Sequence, residues 1–188
     1  MGLIMSKDIA NFIVSTLFHE KECGKLLVSR SGRLLQRYDE QGLRQVVGCI
    51  PYRYTKTDQF SSVEEDLEVL LISSQKSQRM MFPKGGWERD ESMEEAALRE
   101  TLEEAGVGGE VESMLGKWHY LSKRECKRIV HEAYMFPMLV QEELEFWPEK
   151  DLRNRQWMSV AQAREACQSL WMKEALDKLV ARQMNLTN

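Results

Sequence analysis

Hydrophobic positions along the chain follow two rhythms. Gln45 to Tyr54 (QVVGCIPYRY) and Leu67 to Ser73 (LEVLLIS) are aliphatic or β-branched runs. A polar stretch without helical pattern, Thr55 to Asp66, separates them, so the pattern predicts two strands joined by a loop. Met80-Met81-Phe82 reads as a further short strand, ended by Pro83 and the pair Gly85-Gly86. Ser92 to Ala105 reads as a helix: Ser92 can cap the first turn, Glu95 completes a capping box, and Gly106 stands where helices stop in the left-handed conformation. Gly116 to Leu121 and Ala133 to Val140 are strand-like, the second running into Glu142, Glu143 and Glu145. A last helix begins near Val160 and carries Ala163, Ala166, Leu170, Met172 and Leu176 toward Leu179. Near the N-terminus Ile9, Phe12, Ile13 and Leu17 recur at helical spacing, the mark of a short amphipathic helix. Strands on both sides of one central helix, with another helix at the end, predict an α/β sandwich with a mixed sheet.

Composition narrows this picture. With 188 residues, 43% hydrophobic and 30% charged, the chain suits one compact domain and lacks the bias of a disordered or fibrous protein. A net charge of −4 argues against general attraction to DNA or anionic membranes, so a polyanionic ligand needs a local basic patch. Cys23, Cys49, Cys126 and Cys167 are scattered, without a CxxC pair, and indicate thiols in a reducing compartment rather than a zinc site or disulfide framework. No run reaches the roughly 20 apolar residues of a membrane span, and no signal-peptide pattern is present, so the expectation is a cytoplasmic protein, with a nuclear or organellar pool open. Met1-Gly2-Leu3-Ile4-Met5-Ser6 fits the loose M-G-x-x-x-S myristoylation pattern at Gly2, or is an ordinary terminus.

The chemistry concentrates between Gly85 and Val107 (GGWERDESMEEAALRETLEEAGV). Glu100, Glu103 and Glu104, at i, i+3 and i+4, project from one helix face within about 5–6 Å of one another. Leu98, Leu102 and Ala105 form an apolar stripe on the other face. Met93, Ala96 and Ala97 flank the acidic side, in place of the Lys and Arg of a solvated face. Three hard carboxylates in that setting suit Mg²⁺ or Mn²⁺, although glutamate-rich helices taken alone are commonly solvated surface.

The whole segment decides between these readings. Gly85, Glu91 and Arg99-Glu100-Thr101-Leu102-Glu103-Glu104-Ala105-Gly106-Val107 stand at the spacing G-x5-E-x7-R-E-U-x-E-E-x-G-U, and the segment resembles the Nudix box. Thr101 departs from it, replacing a bulky aliphatic residue. The resemblance implies a Nudix α/β/α sandwich over residues 33–182, with 1–32 as an N-terminal extension and 183–188 as a tail. It further implies metal ligation by Glu100, Glu103 and Glu104 with the Gly85 carbonyl, a supporting Glu91–Arg99 ion pair, and Glu104 or Glu103 as general base.

Outside the box, QRYDEQGLRQVVGCIPYRY, LISSQKSQRMMFPKGGWE, FWPEKDLRNRQW and WMKEAL resemble the diphosphoinositol polyphosphate phosphohydrolase branch, particularly its plant-type relatives. That resemblance implies phosphate-crowded small-molecule substrates, inositol pyrophosphates or diadenosine polyphosphates. Arg44, Arg79, Lys84, Gly86, Arg153, Arg155 and His131 are the candidate substrate contacts, with Lys173 weaker. Lys123, Arg124, Lys127 and Arg128 form a further cluster, a phosphate-facing loop or a solvated turn. The alternatives are a hydrolase of ADP-ribose, NADH, nucleotide sugars or capped RNA, with Tyr52, Trp87, Trp118 or Trp147 as a base-stacking slot, or a binding module on an inactive scaffold. A protein or membrane partner for the extension is unspecified.

Overall fold

A computed structural model describes residues 30, 32–55, 63–75, 77, 79–124 and 127–186, without the side chains of residues 123–128. Gly2, the Ile9–Leu17 pattern, Cys23, Cys126 and the Lys123–Arg128 side-chain cluster lie outside the described residues.

The elements are β1 (Arg44–Tyr54), α1 (Val63–Asp66), β2 (Leu67–Ser73), β3 (Met80–Met81), β4 (Lys84–Gly86), α2 (Met93–Ala105), β5 (Val107–Val111), β6 (Gly116–Arg124), β7 (Lys127–Glu143), β8 (Arg155–Ser159), α3 (Val160–Ala166) and α4 (Leu170–Leu186). β1 and β7 run parallel, in register from Arg44 opposite His131 to Tyr52 opposite Leu139, and form the spine of a mixed sheet. Two short antiparallel strands share the outer edge of each. β4 and β2 take successive parts of β1, and β6 and β5 do the same on β7. β1 and β2 pair only over Tyr52–Tyr54 and Leu67–Val69, so the segment 80–86 fits between them, β3 on the end of β2 and β4 on β1. This brings the main chain of β4 under α2.

The period-two alternation of the strands sorts their side chains between two cores. Val47, Cys49, Leu70, Ile72, Tyr134, Phe136 and Met138 meet α2. Ile50, Tyr52, Val69, Leu71, Ala133 and Met135 meet α3 and α4, including Trp171, Leu176 and Leu179. The result is the expected α/β/α sandwich.

Several sequence expectations change. The stretch before β2 contains a four-residue helix, α1. The terminal helix is two helices, because the chain turns at Cys167 to bridge Met80, and Ser159 caps α3 through a capping box with Gln162. α2 buries a wider stripe than Leu98, Leu102 and Ala105: Ala96, Ala97 and Thr101 are fully enclosed as well. Thr101 keeps its hydroxyl satisfied by donating to the Ala97 carbonyl at 2.7 Å. It also contacts the Cys49 thiol, whose pKa burial nevertheless pushes up to about 12.

Candidate active site

The helix that carries the acidic residues is fixed at both ends by its own sequence. The Ser92 side chain accepts from the Glu95 N–H, while the Glu95 carboxylate accepts from the Ser92 N–H. Gly106, at φ 64°, closes the C-terminus by donating to the Leu102 carbonyl. Three carboxylates emerge between these caps, on the side facing β4. Glu103 and Glu104 are buried, and the side chain of Glu100 is 13% exposed, so this is a trough rather than a solvated face.

Each carboxylate has a defined contact with the surrounding chain. Glu104 accepts the Lys84 main-chain N–H at 2.8 Å on one oxygen and the Arg153 guanidinium on the other. Glu103 accepts the main-chain N–H of Arg30 at 3.3 Å and lies 3.5 Å from Arg99. Glu100 accepts from Arg99 at 2.9 Å and lies directly against Gly85. A Cβ on Gly85 would fall 2.0 Å from the Glu100 carboxylate carbon, so only glycine leaves room for that side chain.

Arg99 is the pivot of this arrangement. It meets Glu91 through two hydrogen bonds, of 2.8 and 2.7 Å, and donates to the Gly86 carbonyl at 3.0 Å. Glu91 in turn accepts the Glu88 N–H at 3.0 Å, which ties the approach to α2 onto the helix itself. Arg30, a residue that sequence reasoning did not single out, donates to Glu88 at 2.6 Å.

Burial dominates the electrostatics. It raises the Glu100 pKa from near 4.5 to about 7; Arg99 opposes the shift, and Glu104 and Glu103 add to it. Burial also raises Glu104, against Arg153 and Lys84. The Lys84 amine is lowered, first by burial and then by Arg153 and Arg44, with Glu104 opposing. His131 is lowered by burial, Arg44 and Lys84, which holds its ring toward the neutral form.

Among the candidate substrate contacts, the structure groups Arg44, Lys84, Arg153 and His131 beside the carboxylates. Arg44 and His131 are register partners on β1 and β7. The His131 Nε2 meets the Ser122 hydroxyl at 2.7 Å, whereas its buried Nδ1 has no hydrogen-bond partner. Gly86 lets Arg44 and Gln36 approach: a Cβ there would fall 2.7 Å from an Arg44 nitrogen and 2.5 Å from the Gln36 amide. Arg79 is exposed on the loop between β2 and β3. Lys173 lies on α4 beside Cys167.

Arg155 is placed differently from expectation. Its guanidinium donates to the carbonyls of Ala105, Gly106 and Leu144 at 2.9–3.0 Å and stacks 4.2 Å over the Trp147 ring. It therefore caps the C-terminus of α2 rather than presenting free donors to phosphate. Two residues absent from the sequence reading, Glu149 and Tyr120, belong to the surroundings of the trough. Glu149 holds Arg153 at 2.6 Å, and Tyr120 packs between His131 and Trp171. Tyr120 arrives through tertiary packing and no local pattern marks it, whereas Glu149 and Arg153 stand four positions apart, a spacing of opposite charges that the sequence does display.

The donor set fits a hard divalent cation. It consists of glutamate oxygens on one helix face with glycine main chain opposite. As arranged, no three acidic, histidine or cysteine side chains among the described residues stand close enough together to hold a metal; arginine guanidinium groups take up the carboxylate oxygens.

A glutamate-lined helix under a glycine strand, within a mixed-sheet sandwich, defines a class of hydrolase. Residues 43–182 match the NUDIX domain, and the chain belongs to the Nudix family of pyrophosphohydrolases. It is 62% identical over 156 residues to the Arabidopsis thaliana protein "Nudix hydrolase 18, mitochondrial", covering 83% of this chain and 86% of that one. It is 33% identical over 147 residues to mouse "Diphosphoinositol polyphosphate phosphohydrolase 3-alpha", covering 76% and 81%. Among solved structures it is similar in fold to a C. elegans Ap4A hydrolase, with TM-score 0.57 and 18% identity over 76% of this chain and 99% of that one.

Proposed function

We propose that the protein hydrolyses a phosphoanhydride of diphosphoinositol polyphosphates, with diadenosine polyphosphates as a second substrate class, in a reaction that depends on Mg²⁺ or Mn²⁺. The observation that carries this reading is the basic group of Arg44, Lys84 and Arg153, with the unpartnered Nδ1 of His131, directly beside the glutamate trough. A substrate crowded with phosphates needs several cations around the scissile bond. The catalytic unit is residues 33–182. The name of the mouse relative supports the substrate class.

Glu100, Glu103 and Glu104, with the Gly85 carbonyl, would hold the cation. When bound, it supplies Lewis-acid polarisation of phosphoryl oxygens and lowers the pKa of water. Glu104 or Glu103 takes the proton of the attacking water. The water oxygen forms a bond to phosphorus, the anhydride P–O bond breaks, and inorganic phosphate leaves the diphosphorylated ring. Glu91 and Arg99 position Glu100. Lys84, Arg44 and Arg153 neutralise the phosphates, Arg79 meets the outer ones, and the neutral His131 ring donates a hydrogen bond from Nδ1.

The aromatic residues support this substrate class over a nucleobase slot. Tyr52 donates its hydroxyl to Glu112, and Trp87 is covered by Arg37 and Tyr134. Trp118 lies between Trp171 and Lys178, and Trp147 carries Arg155. No helix among the described residues is long and apolar enough to cross a membrane. We place the protein in the cytoplasm; fractionation of a tagged full-length chain tests this, with a mitochondrial pool, as in the name of the Arabidopsis relative, the opposing outcome.

Turnover with Mg²⁺ tests the activity, read as phosphate release from 1- and 5-diphosphoinositol pentakisphosphate and as chromatographed nucleotide products from diadenosine pentaphosphate, ADP-ribose and NADH in parallel, with Glu104→Gln as control. Glu104-dependent turnover of the inositol pyrophosphates is the expected result. Turnover of ADP-ribose or NADH alone overturns the substrate class, and no turnover of any compound overturns the enzyme.

A further inference from the structure

We propose that Glu149, outside the segment Gly85 to Val107, is a positioning residue that holds Arg153 between two tasks. In the metal-free protein Arg153 neutralises Glu104; once a divalent cation has taken over that carboxylate, Glu149 keeps the guanidinium in the site for a substrate phosphate. The inference rests on the phosphohydrolase reading above.

The geometry carries it in three steps. Arg153 directs its donors three ways: to the Glu104 carboxylate on α2, to the Glu149 carboxylate at 2.6 Å, and to the Ser73 carbonyl at the end of β2 at 3.2 Å. Its side chain is 10% exposed, so the guanidinium is a fixed group of the trough and not a surface cation. Glu149 is itself anchored, because its N–H donates to the Glu103 carbonyl at 3.1 Å and its O accepts from the N–H groups of Leu152 and Arg153 at 3.0 Å. The same Glu149 oxygen that meets Arg153 also accepts from Gln75 at 3.0 Å, on the loop that carries Arg79. One carboxylate thus joins the metal-facing helix, the arginine turn and the loop between β2 and β3.

The electrostatic consequence follows from charge. Arg153 and a divalent cation compete for the Glu104 carboxylate. On loading, attraction between Arg153 and its neighbourhood turns to repulsion from the new cation. A guanidinium held only by Glu104 would then leave the site. Glu149 and the Ser73 carbonyl remain as partners, and the donor formerly on Glu104 becomes available to phosphate, where guanidinium geometry matches two oxygens at once.

The test uses the full chain with Glu149→Gln, Glu149→Asp, Arg153→Gln and the Glu149→Gln/Arg153→Gln double variant, each checked by thermal unfolding. Kinetics are measured on 5-diphosphoinositol pentakisphosphate, and Mn²⁺ affinity without substrate is measured from the electron paramagnetic resonance signal of free Mn²⁺. Glu149→Gln should raise KM about tenfold, the scale of one charge-assisted hydrogen bond. It should leave kcat within about threefold, because the contact serves binding rather than the chemical step. Glu149→Asp should recover part of the loss. In the Arg153→Gln background the Glu149→Gln effect should shrink below about twofold, since a residue acting through another loses its effect when that other is gone. Arg153→Gln should bind Mn²⁺ more tightly than the wild type. The inference is overturned if the Glu149→Gln effect persists without Arg153, if it falls on kcat as strongly as on KM, or if Arg153→Gln binds Mn²⁺ no more tightly. A wild type that turns over normally alongside any of these results leaves the proposed function standing, whereas a wild type that neither binds Mn²⁺ nor releases phosphate removes both.

Discussion

Gly85→Ala should separate activity from stability. The added Cβ falls 2.0 Å from both the carboxylate carbon and one oxygen of Glu100, and 2.3 Å from the other oxygen. Ordinary contact needs about 3.5 Å, so something must move by about 1.5 Å. The Glu100 carboxylate is the movable partner, being the end of a flexible side chain, whereas β4 is held by its ladder to β1. When Glu100 swings away it loses the 2.9 Å hydrogen bond from Arg99, which costs about 1–2 kcal/mol for a charge-assisted bond. Arg99 keeps both hydrogen bonds to Glu91, and replacing glycine recovers about 0.4–1 kcal/mol by restricting the unfolded chain. The net loss is about 1 kcal/mol, or about 2–4 °C in Tm. Removing one carboxylate from the metal-facing set should lower Mn²⁺ affinity and kcat/KM by about a hundredfold or more, since even outer-shell changes reach that range. Differential scanning calorimetry, Mn²⁺ titration and phosphate release measure the three quantities. Unchanged metal affinity and turnover would refute the argument, as would a Tm loss beyond about 10 °C, which would mean that the backbone absorbs the clash.

Three further outcomes follow from the same geometry. Arg99→Ala leaves the buried Glu91 carboxylate without its cation, and should cost about 3–5 kcal/mol, read as a Tm drop that Glu91→Ala in the same chain partly reverses; an additive double variant would sink this account. In EDTA, the Glu100 pKa of about 7 against an ordinary value near 4.5 means that the folded state binds more protons than the unfolded one between those values. Its contribution to stability is therefore complete below the lower pH and lost as pH rises through about 7; Glu100→Gln should flatten that part of a Tm-versus-pH curve, and an unchanged slope counts against it. Arg155→Ala removes three hydrogen bonds to the carbonyls at and beyond the end of α2 and a stacked ring contact, costing about 2 kcal/mol. KM should stay within about twofold if the residue caps the helix, and a large KM increase at unchanged Tm would restore it as a phosphate contact.

What the sequence by itself determined is whatever short-range physics controls. The Ser92 and Glu95 capping box, the stop at Gly106, and three glutamates on one helix face follow from 3.6 residues per turn and from hydrogen-bonding groups a few positions apart. The strands β1 and β2 were legible because each is a continuous apolar run. Tertiary structure alone decided the rest. β4 (KGG) and β5 (VGGEV) have little intrinsic strand preference, and they are strands because β1 and β7 offer them open edges. The terminal helix looked continuous by periodicity, yet it breaks where Cys167 meets Met80 across the fold. Arg153 and Arg155 stand two residues apart and read alike as phosphate contacts. Folding sends one to Glu104 and the other to the carbonyls at and beyond the end of α2, because Arg153 is held in the turn closed by the Glu149 carbonyl, whereas Arg155 is the first residue of β8 and follows the strand. Arg30 carries no local mark: its partners Glu88, Asp90 and Glu103 lie 58 or more positions away. Glu149 faces Arg153 four positions on, but its links to Gln75 and to the Glu103 carbonyl exist only in the folded chain.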